Sequence, residues 1–217
     1  MHRTITNLNQ IQKLLKEKSK EKNLPKIVVV SKTFAISEIQ PLLKYGHIDF
    51  GENKIQEALD KWSSIKKDFK NIKLHMIGKL QTNKVKFLIP LFDYFHSLDN
   101  IKLAKKISEE EIKKKKKLKI FIQVNIGNEK QKNGIDADQL NKFYSICVKE
   151  LKLNIIGLMC LPPNDKNTNF YFSEMQRLTN QLGLKELSLG MSNDYISAIN
   201  YGSTYVRIGS KIFGQRD

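Results

Sequence analysis

Short apolar or β-branched runs alternate with longer stretches in which apolar residues recur every three or four positions, from about residue 27 to residue 208. A brief apolar run bounded by turn formers reads as a strand, and spacing near 3.6 residues reads as the buried stripe of a helix. The runs predict strands at 27–30, 48–50, 74–77, 94–96, 120–125, 155–159, 187–189 and 205–208. The periodic stretches between them predict helices at 36–45, 54–69, 82–88, 101–117, 137–151, 170–182 and 195–201. Ahead of the first strand, Ile5, Leu8, Ile11, Leu14 and Leu15 fall on one face of a further helix within residues 1–24. Eight strands separated by helices is the number that closes a (β/α)8 barrel of the TIM type, and 217 residues lies near the lower end of its size range. An open doubly wound sheet is the runner-up. No low-complexity linker divides the alternation, which predicts a single domain over 1–217 with the N-terminal helix packed on the barrel. Pro162, Pro163, Asn164 and Asp165 read as a loop after the sixth strand.

Hydrophobic residues make up 40% of the chain, yet no uninterrupted run approaches the roughly 18–20 residues of a membrane-spanning helix. The first 22 residues also lack the continuous apolar centre of a secretion signal. Cys147 and Cys160 allow at most one disulfide, so the expected compartment is the cytoplasm. Neither cysteine nor any of the four histidines has a partner at metal-ligand spacing, which argues against a zinc site. The net charge of +16 invites a nucleic-acid reading, but 34 of the 38 cations are lysines spread along the chain without an interleaved aromatic platform. The densest run, lysine at every position of 113–117, follows ISEEEI and reads as a helix end, where cations oppose the helix dipole. A basic nucleic-acid module therefore ranks below an enzyme or a ligand carrier.

Polar and glycine-rich residues gather where the predicted strands end: Ser31-Lys32-Thr33, Gly51-Glu52-Asn53, Gly78-Lys79, Ser97-Leu98-Asp99, Asn125, Met159-Cys160, Gly190-Met191-Ser192-Asn193 and Gly209-Ser210. In a barrel these all share the C-terminal rim, where barrel enzymes build their sites. The loops after strands seven and eight suit a phosphate, because glycine lets an anion approach backbone N–H groups and serine adds a hydroxyl. Their simpler reading is that Ser192 or Asn193 caps a helix and Gly209 turns the chain. Lys32 follows the IVVV strand and could add to a carbonyl as a Schiff base, or be an ordinary surface lysine. Arg207 is one of only four arginines and lies in the apolar segment TYVRIG, so its guanidinium needs an inward acceptor, either a carboxylate or a ligand ring nitrogen. His75 and His96 read as hydrogen-bonded core residues rather than as an acid and a base. Glu52 and Glu57 read as compensation of a helix dipole.

These residues stand in VVVSKTF at 28–34, FGENKIQEA at 50–58, HMIGKLQTNKVK at 75–86, HSLD at 96–99, QVNIGNEKQKNGI at 123–135, GLMCLPP at 157–163 and the C-terminal LSLGMSNDYISAINYGSTYVRIGSKIFGQRD at 187–217. In that order the segments resemble the pyridoxal-phosphate homeostasis proteins, called YggS in bacteria. The resemblance implies a barrel like the N-terminal domain of alanine racemase, carrying pyridoxal 5′-phosphate (PLP) as an internal aldimine on Lys32. It implies further that Ser192 and the amides of Gly209 and Ser210 hold the phosphate, that Arg207 faces the pyridine nitrogen, and that Asn53 and Met159 line the pocket. A guanidinium there opposes protonation of the ring and weakens it as an electron sink. The implied role is a carrier or regulator of the vitamin B6 pool without an established reaction; a weak PLP-dependent amino-acid racemase is the alternative. PLP-dependent apoenzymes are the implied partners, and monomer is the default state. Lys79 stands where the family often has histidine, Ser210 where threonine is frequent, and Asn193 where an acid is frequent. Serine preserves the hydroxyl and the amide, and Lys79 adds charge near the mouth.

Overall fold

A computed structural model describes residues 1–19, 24–129, 133–163 and 165–215. Asn164 of the proline cluster, residues 130–132 of the QVNIGNEKQKNGI segment, residues 20–23 and the terminal Arg216 and Asp217 lie outside the described residues. Helix α1 (Arg3–Lys18) comes first, followed by β1 (Lys26–Val30), α2 (Ile36–Tyr45), β2 (Asp49–Glu52), α3 (Ile55–Asp68), β3 (Lys73–Met76), α4 (Val85–Leu91) and β4 (Tyr94–Leu98). The second half continues with α5 (Ile101–Lys114), β5 (Lys119–Gln123), α6 (Leu140–Ser145), β6 (Ile155–Met159), α7 (Thr168–Gln181), β7 (Glu186–Ser188), α8 (Tyr195–Ile199), β8 (Tyr205–Ile208) and α9 (Ser210–Phe213). All neighbouring strands are parallel, and β1 pairs with both β2 and β8, closing the eight-stranded barrel. The predicted fold class is the observed one, and the open sheet is excluded.

Strand β1 shows why the alternation was so clear. Ile27 and Val29 face the helices and join the large outer core, whereas Val28 points inward to Tyr94, Phe121, Met159 and Tyr205. A strand buried on both faces has no reason to alternate, hence the continuous IVVV. Outside the ring, α1 buries Thr4, Leu8, Ile11 and Leu15, a spacing of three to four residues that gives one apolar stripe.

Several boundaries differ from expectation for identifiable reasons. Helix α4 runs through Pro90 to Leu91, past the predicted end at 88, after a tight turn at Thr82–Lys84. Proline inside a helix costs about 3 kcal/mol through a lost hydrogen bond and a clash with the carbonyl four residues back, while burial of Leu88, Ile89 and Leu91 yields about 1.5–3 kcal/mol each. The predicted helix at 137–151 is α6 followed by a wider turn over Ile146–Glu150, in which Leu151 N–H reaches back five residues to the Ile146 carbonyl at 3.0 Å. Helix α5 ends as its lysine run implied: Lys113 and Lys114 occupy the last turn, and Lys115 closes it with φ +50°. The next two lysines cap neighbouring chain, Lys116 Nζ donating to the Phe92 carbonyl at 2.7 Å and Lys117 Nζ to the Lys152 carbonyl at 2.9 Å. Among the described residues no helix is long and apolar enough to cross a membrane.

Candidate functional site

The exit of β1 is held from three sides. Ser31 N–H donates to the Gly51 carbonyl at 3.0 Å, which joins this turn to β2, and Ser31 Oγ donates to Glu52 Oε1 at 2.7 Å. Lys61 of α3 spends all three ammonium protons here, on the Ser31 carbonyl at 2.8 Å, on Glu52 Oε1 at 3.0 Å and on Glu57 Oε1 at 3.0 Å. Glu57 in turn accepts from the backbone N–H of Thr33, and Trp62 Nε1 donates to Glu52 Oε1 at 2.9 Å. Lys32, half-buried, lies between the two clamped residues. The clamp holds an unfavourable backbone, since Thr33 has φ +68°, a region that costs a β-branched residue of order 1–3 kcal/mol. Burial would raise the Glu57 pKa, but the Thr33 N–H and the Lys61 ammonium outweigh it and hold the carboxyl below its ordinary value. Glu52 is fully buried in this ion pair, which corrects the expectation that it compensates a helix dipole.

On the adjoining arc, across the β1–β8 seam, the loops after β7 and β8 meet. Gly190 has φ +84°, and a Cβ there would lie 2.8 Å from both Ala198 Cβ and Tyr195 Cα, so the loop passes α8 at a distance only glycine permits. Arg207 N–H donates to the Gly190 carbonyl at 3.0 Å, tying this loop to β8. Ser192 Oγ accepts from the Lys211 backbone N–H at 3.5 Å, which brings it over the start of α9, where Gly209 and Ser210 present their amides. A Cβ on Gly209 would sit 3.3 Å from the Val30 carbonyl, so this cup abuts the end of β1, two residues from Lys32. Neither Ser192 nor Asn193 caps α8: the flanking residue is Asp194, whose Oδ1 accepts from Met191 N–H at 2.6 Å.

Arg207 is 4% exposed. Its Nη1 donates to the Ser188 carbonyl at 2.7 Å and to Ser188 Oγ at 2.6 Å, and its Nη2 donates to the Cys160 carbonyl at 2.8 Å. The expected inward acceptor is thus backbone and serine, with no carboxylate in contact among the described residues. Burial lowers its pKa from the ordinary arginine value, yet a guanidinium remains a cation at neutral pH. Met159 is fully buried in the inner layer with Val28, Phe121 and Tyr205. Asn53 follows β2, and Gly78 approaches its backbone so closely that a Cβ would lie 2.3 Å from the Asn53 carbonyl oxygen. Lys79, next to that glycine, is exposed. His75 and His96 are wholly buried and hydrogen-bonded to each other, as core histidines should be. A depression of about 760 Å³ on the same rim is lined by Asn125, Glu129, Asp136 and neighbours; of the strand-end residues singled out in the sequence it contains Asn125, and none of those expected to hold the cofactor. Lys61 and Trp62 are not among the residues the sequence singled out; the spacing of Ile55, Ala58, Trp62 and Ile65 marks the buried face of α3, but nothing in it distinguishes Lys61 from the other lysines.

Comparison with known proteins agrees with this architecture. The sequence model of the alanine racemase N-terminal domain matches residues 3–217. A pyridoxal phosphate homeostasis protein of Aquifex aeolicus is 34% identical over 218 residues, covering 96% of this chain and 95% of the relative. The structure of PipY from Synechococcus elongatus with PLP bound superposes with a TM-score of 0.86 at 26% identity, covering 97% of this chain and all of PipY. The alanine racemase of Clostridium difficile, at 16% identity and a TM-score of 0.76, matches in fold over 98% of this chain but only 56% of its own length. By family model, by identity across nearly the full length and by fold, the chain belongs to the pyridoxal phosphate homeostasis protein family, whose barrel is that of the alanine racemase N-terminal domain.

Proposed function

We propose that this protein holds PLP reversibly through Lys32 and serves the intracellular B6 pool as a carrier in the cytoplasm, without a turnover reaction of its own. The observation that carries this reading is the convergence on one rim of a clamped lysine turn, a serine-and-amide cup and a buried guanidinium. The donor set suits the ligand: Ser192 with the amides of Gly209 and Ser210 would grip a phosphate dianion, Arg207 would meet the ring nitrogen, and Asn53 and Met159 would line the space between. PLP supplies an aldehyde that condenses with a primary amine, and a ring that withdraws electrons when its nitrogen is protonated. Arg207, a fixed donor and cation, keeps a proton off any ring nitrogen it meets, which disfavours carbanion chemistry. The clamp through Lys61, Glu52 and Glu57 orients the Lys32 turn before any ligand arrives, so little ordering remains to be done on binding. The reading is supported by the relatives named as homeostasis proteins and by PLP in the structure of PipY. We propose further that PLP-dependent apoenzymes are its partners and that it acts as a monomer.

Borohydride reduction of the PLP-loaded protein followed by peptide mapping tests the assignment. Label on the peptide holding Lys32, and loss of the visible absorbance in Lys32→Ala, are expected; label on another lysine overturns it. Exchange of the alanine α-hydrogen in deuterated buffer above the rate of free PLP would favour the racemase alternative.

A further inference from the structure

The interior of the barrel contains a row of polar side chains that gripping a phosphate and an aldehyde does not use. Asp49, the first residue of β2, faces His75 Nε2 at 2.9 Å. His75 Nδ1 faces His96 Nε2 at 2.9 Å, and His96 Nδ1 faces Ser188 Oγ at 3.0 Å. Ser188 Oγ completes the row at Arg207 Nη1, 2.6 Å away. His75, His96 and Ser188 are fully buried, and the Asp49 side chain is 12% exposed. Ring stacking fixes the imidazole planes, His75 on Tyr94 at 4.2 Å and His96 on Phe121 at 4.3 Å.

The two ends dictate a single direction. A guanidinium can only donate, and an ionised carboxylate can only accept. Ser188 Oγ therefore accepts from Arg207 and gives its own proton to His96 Nδ1. His96 must then carry its proton on Nε2 and donate it to His75 Nδ1, and His75 donates from Nε2 to Asp49. The reverse direction would leave the carboxylate facing a bare ring nitrogen and the serine proton directed away from His96. Every group in the forward row is satisfied, and a second proton on either ring would put a new cation in the same interior as Arg207. The neighbouring charged and titratable groups include Lys26 on β1, His47 before β2, whose Nε2 lies 2.9 Å from the Asp49 carbonyl, Asp93 before β4, Tyr94 on β4, Lys119 on β5, Glu186 on β7 and Tyr205 on β8.

We propose that Ser188, His96, His75 and Asp49 are positioning residues for Arg207, a one-way row of hydrogen bonds from a carboxylate at the N-terminal end of the barrel to the guanidinium at its ligand-binding rim. The row holds the guanidinium in one rotamer, so that it meets the ligand in one orientation. This rests on the proposed PLP site for its ligand half, but the row itself can be tested without ligand. In the ¹⁵N spectrum of the apo protein at neutral pH, both imidazoles should be neutral with the proton on Nε2. Ser188→Ala should shift the His96 Nδ1 resonance and, through it, that of His75, with the fold retained.

With PLP loaded, Ser188→Ala and His96→Phe should weaken retention about tenfold and change the visible absorbance envelope. His96→Gln, whose amide offers a donor group at one end and an acceptor at the other, should restore much of the loss. Imidazolium or Nδ1–H tautomers in the wild type overturn the row even where variants fail to fold. Unchanged His96 resonances and PLP retention in Ser188→Ala overturn it as well. Absence of borohydride label on Lys32 in the wild type overturns the PLP reading instead, leaving the imidazole spectra to judge the row.

Discussion

Lys61 shows how much of a candidate site can rest on one buried cation. Its side chain is 8% exposed and neutralises Glu52, which is fully buried and has one oxygen, Oε2, without a donor among the described residues. Removing one partner of a buried pair strands the other charge, so Lys61→Met should cost about 3–5 kcal/mol in urea unfolding. Adding Glu52→Gln should recover part of that loss, and full stability in the single variant would contradict the clamp. As candidates, Lys32 and Arg207 stand out in the sequence for different reasons, one by its position after IVVV and the other by the scarcity of arginine. Lys61 does not, because one lysine among 34 carries no signal until α3 is seen to turn it inward beside Trp62.

Among the elements, α1 and α9 act as a pair. Arg3 Nη2 donates to the Phe213 carbonyl at 2.8 Å, and Asn7 Nδ2 to the Ile212 carbonyl at 2.9 Å. These are carbonyls at the end of a four-residue helix that has no later turn to satisfy them. The first helix of the chain therefore steadies the last, whose opening residue belongs to the proposed phosphate cup. Replacing Arg3 and Asn7 together by alanine should remove about 0.5–1.5 kcal/mol per bond, speed amide exchange in α9 and weaken PLP retention several-fold. Unchanged exchange in α9 would disprove the coupling. Strands buried on both faces and helices with an apolar stripe were readable from residue spacing. Helix α9 was not predicted as an element, since four residues cannot display a period, and the wide turn after α6 was hidden because its residues keep a helical composition.

The molecule as a whole should be a barrel that dislikes mild acid. Burial lowers the pKa of His75, lowers that of His96 well below 6.5 with further help from His75 and Arg207, and lowers that of His47. Unfolded imidazoles bind a proton near 6.5 while the folded ones resist, so the unfolded state takes up more protons below that pH. Stability should accordingly be full above pH 6.5 and fall as pH drops, by up to about 1.4 kcal/mol per pH unit for each ring kept neutral. Urea midpoints measured from pH 7 to 5 check this, and a flat profile would contradict neutral burial. A separate loss belongs to stronger acid. Burial would raise the pKa of Asp93, but Lys66 and the Leu74 N–H outweigh it, so its contribution persists until pH falls below the ordinary carboxyl range. The charge of +16 gave no hint that its lysines are partly structural, because composition counts cations without their acceptors. Lys66, Lys116 and Lys117 tie off the carbonyls of Leu91, Phe92 and Lys152. A reagent that acylates amines would thus loosen these ties while it modifies the surface, and footprinting of Lys32 with such a probe would register scaffold failure unless kept to short, sparse labelling.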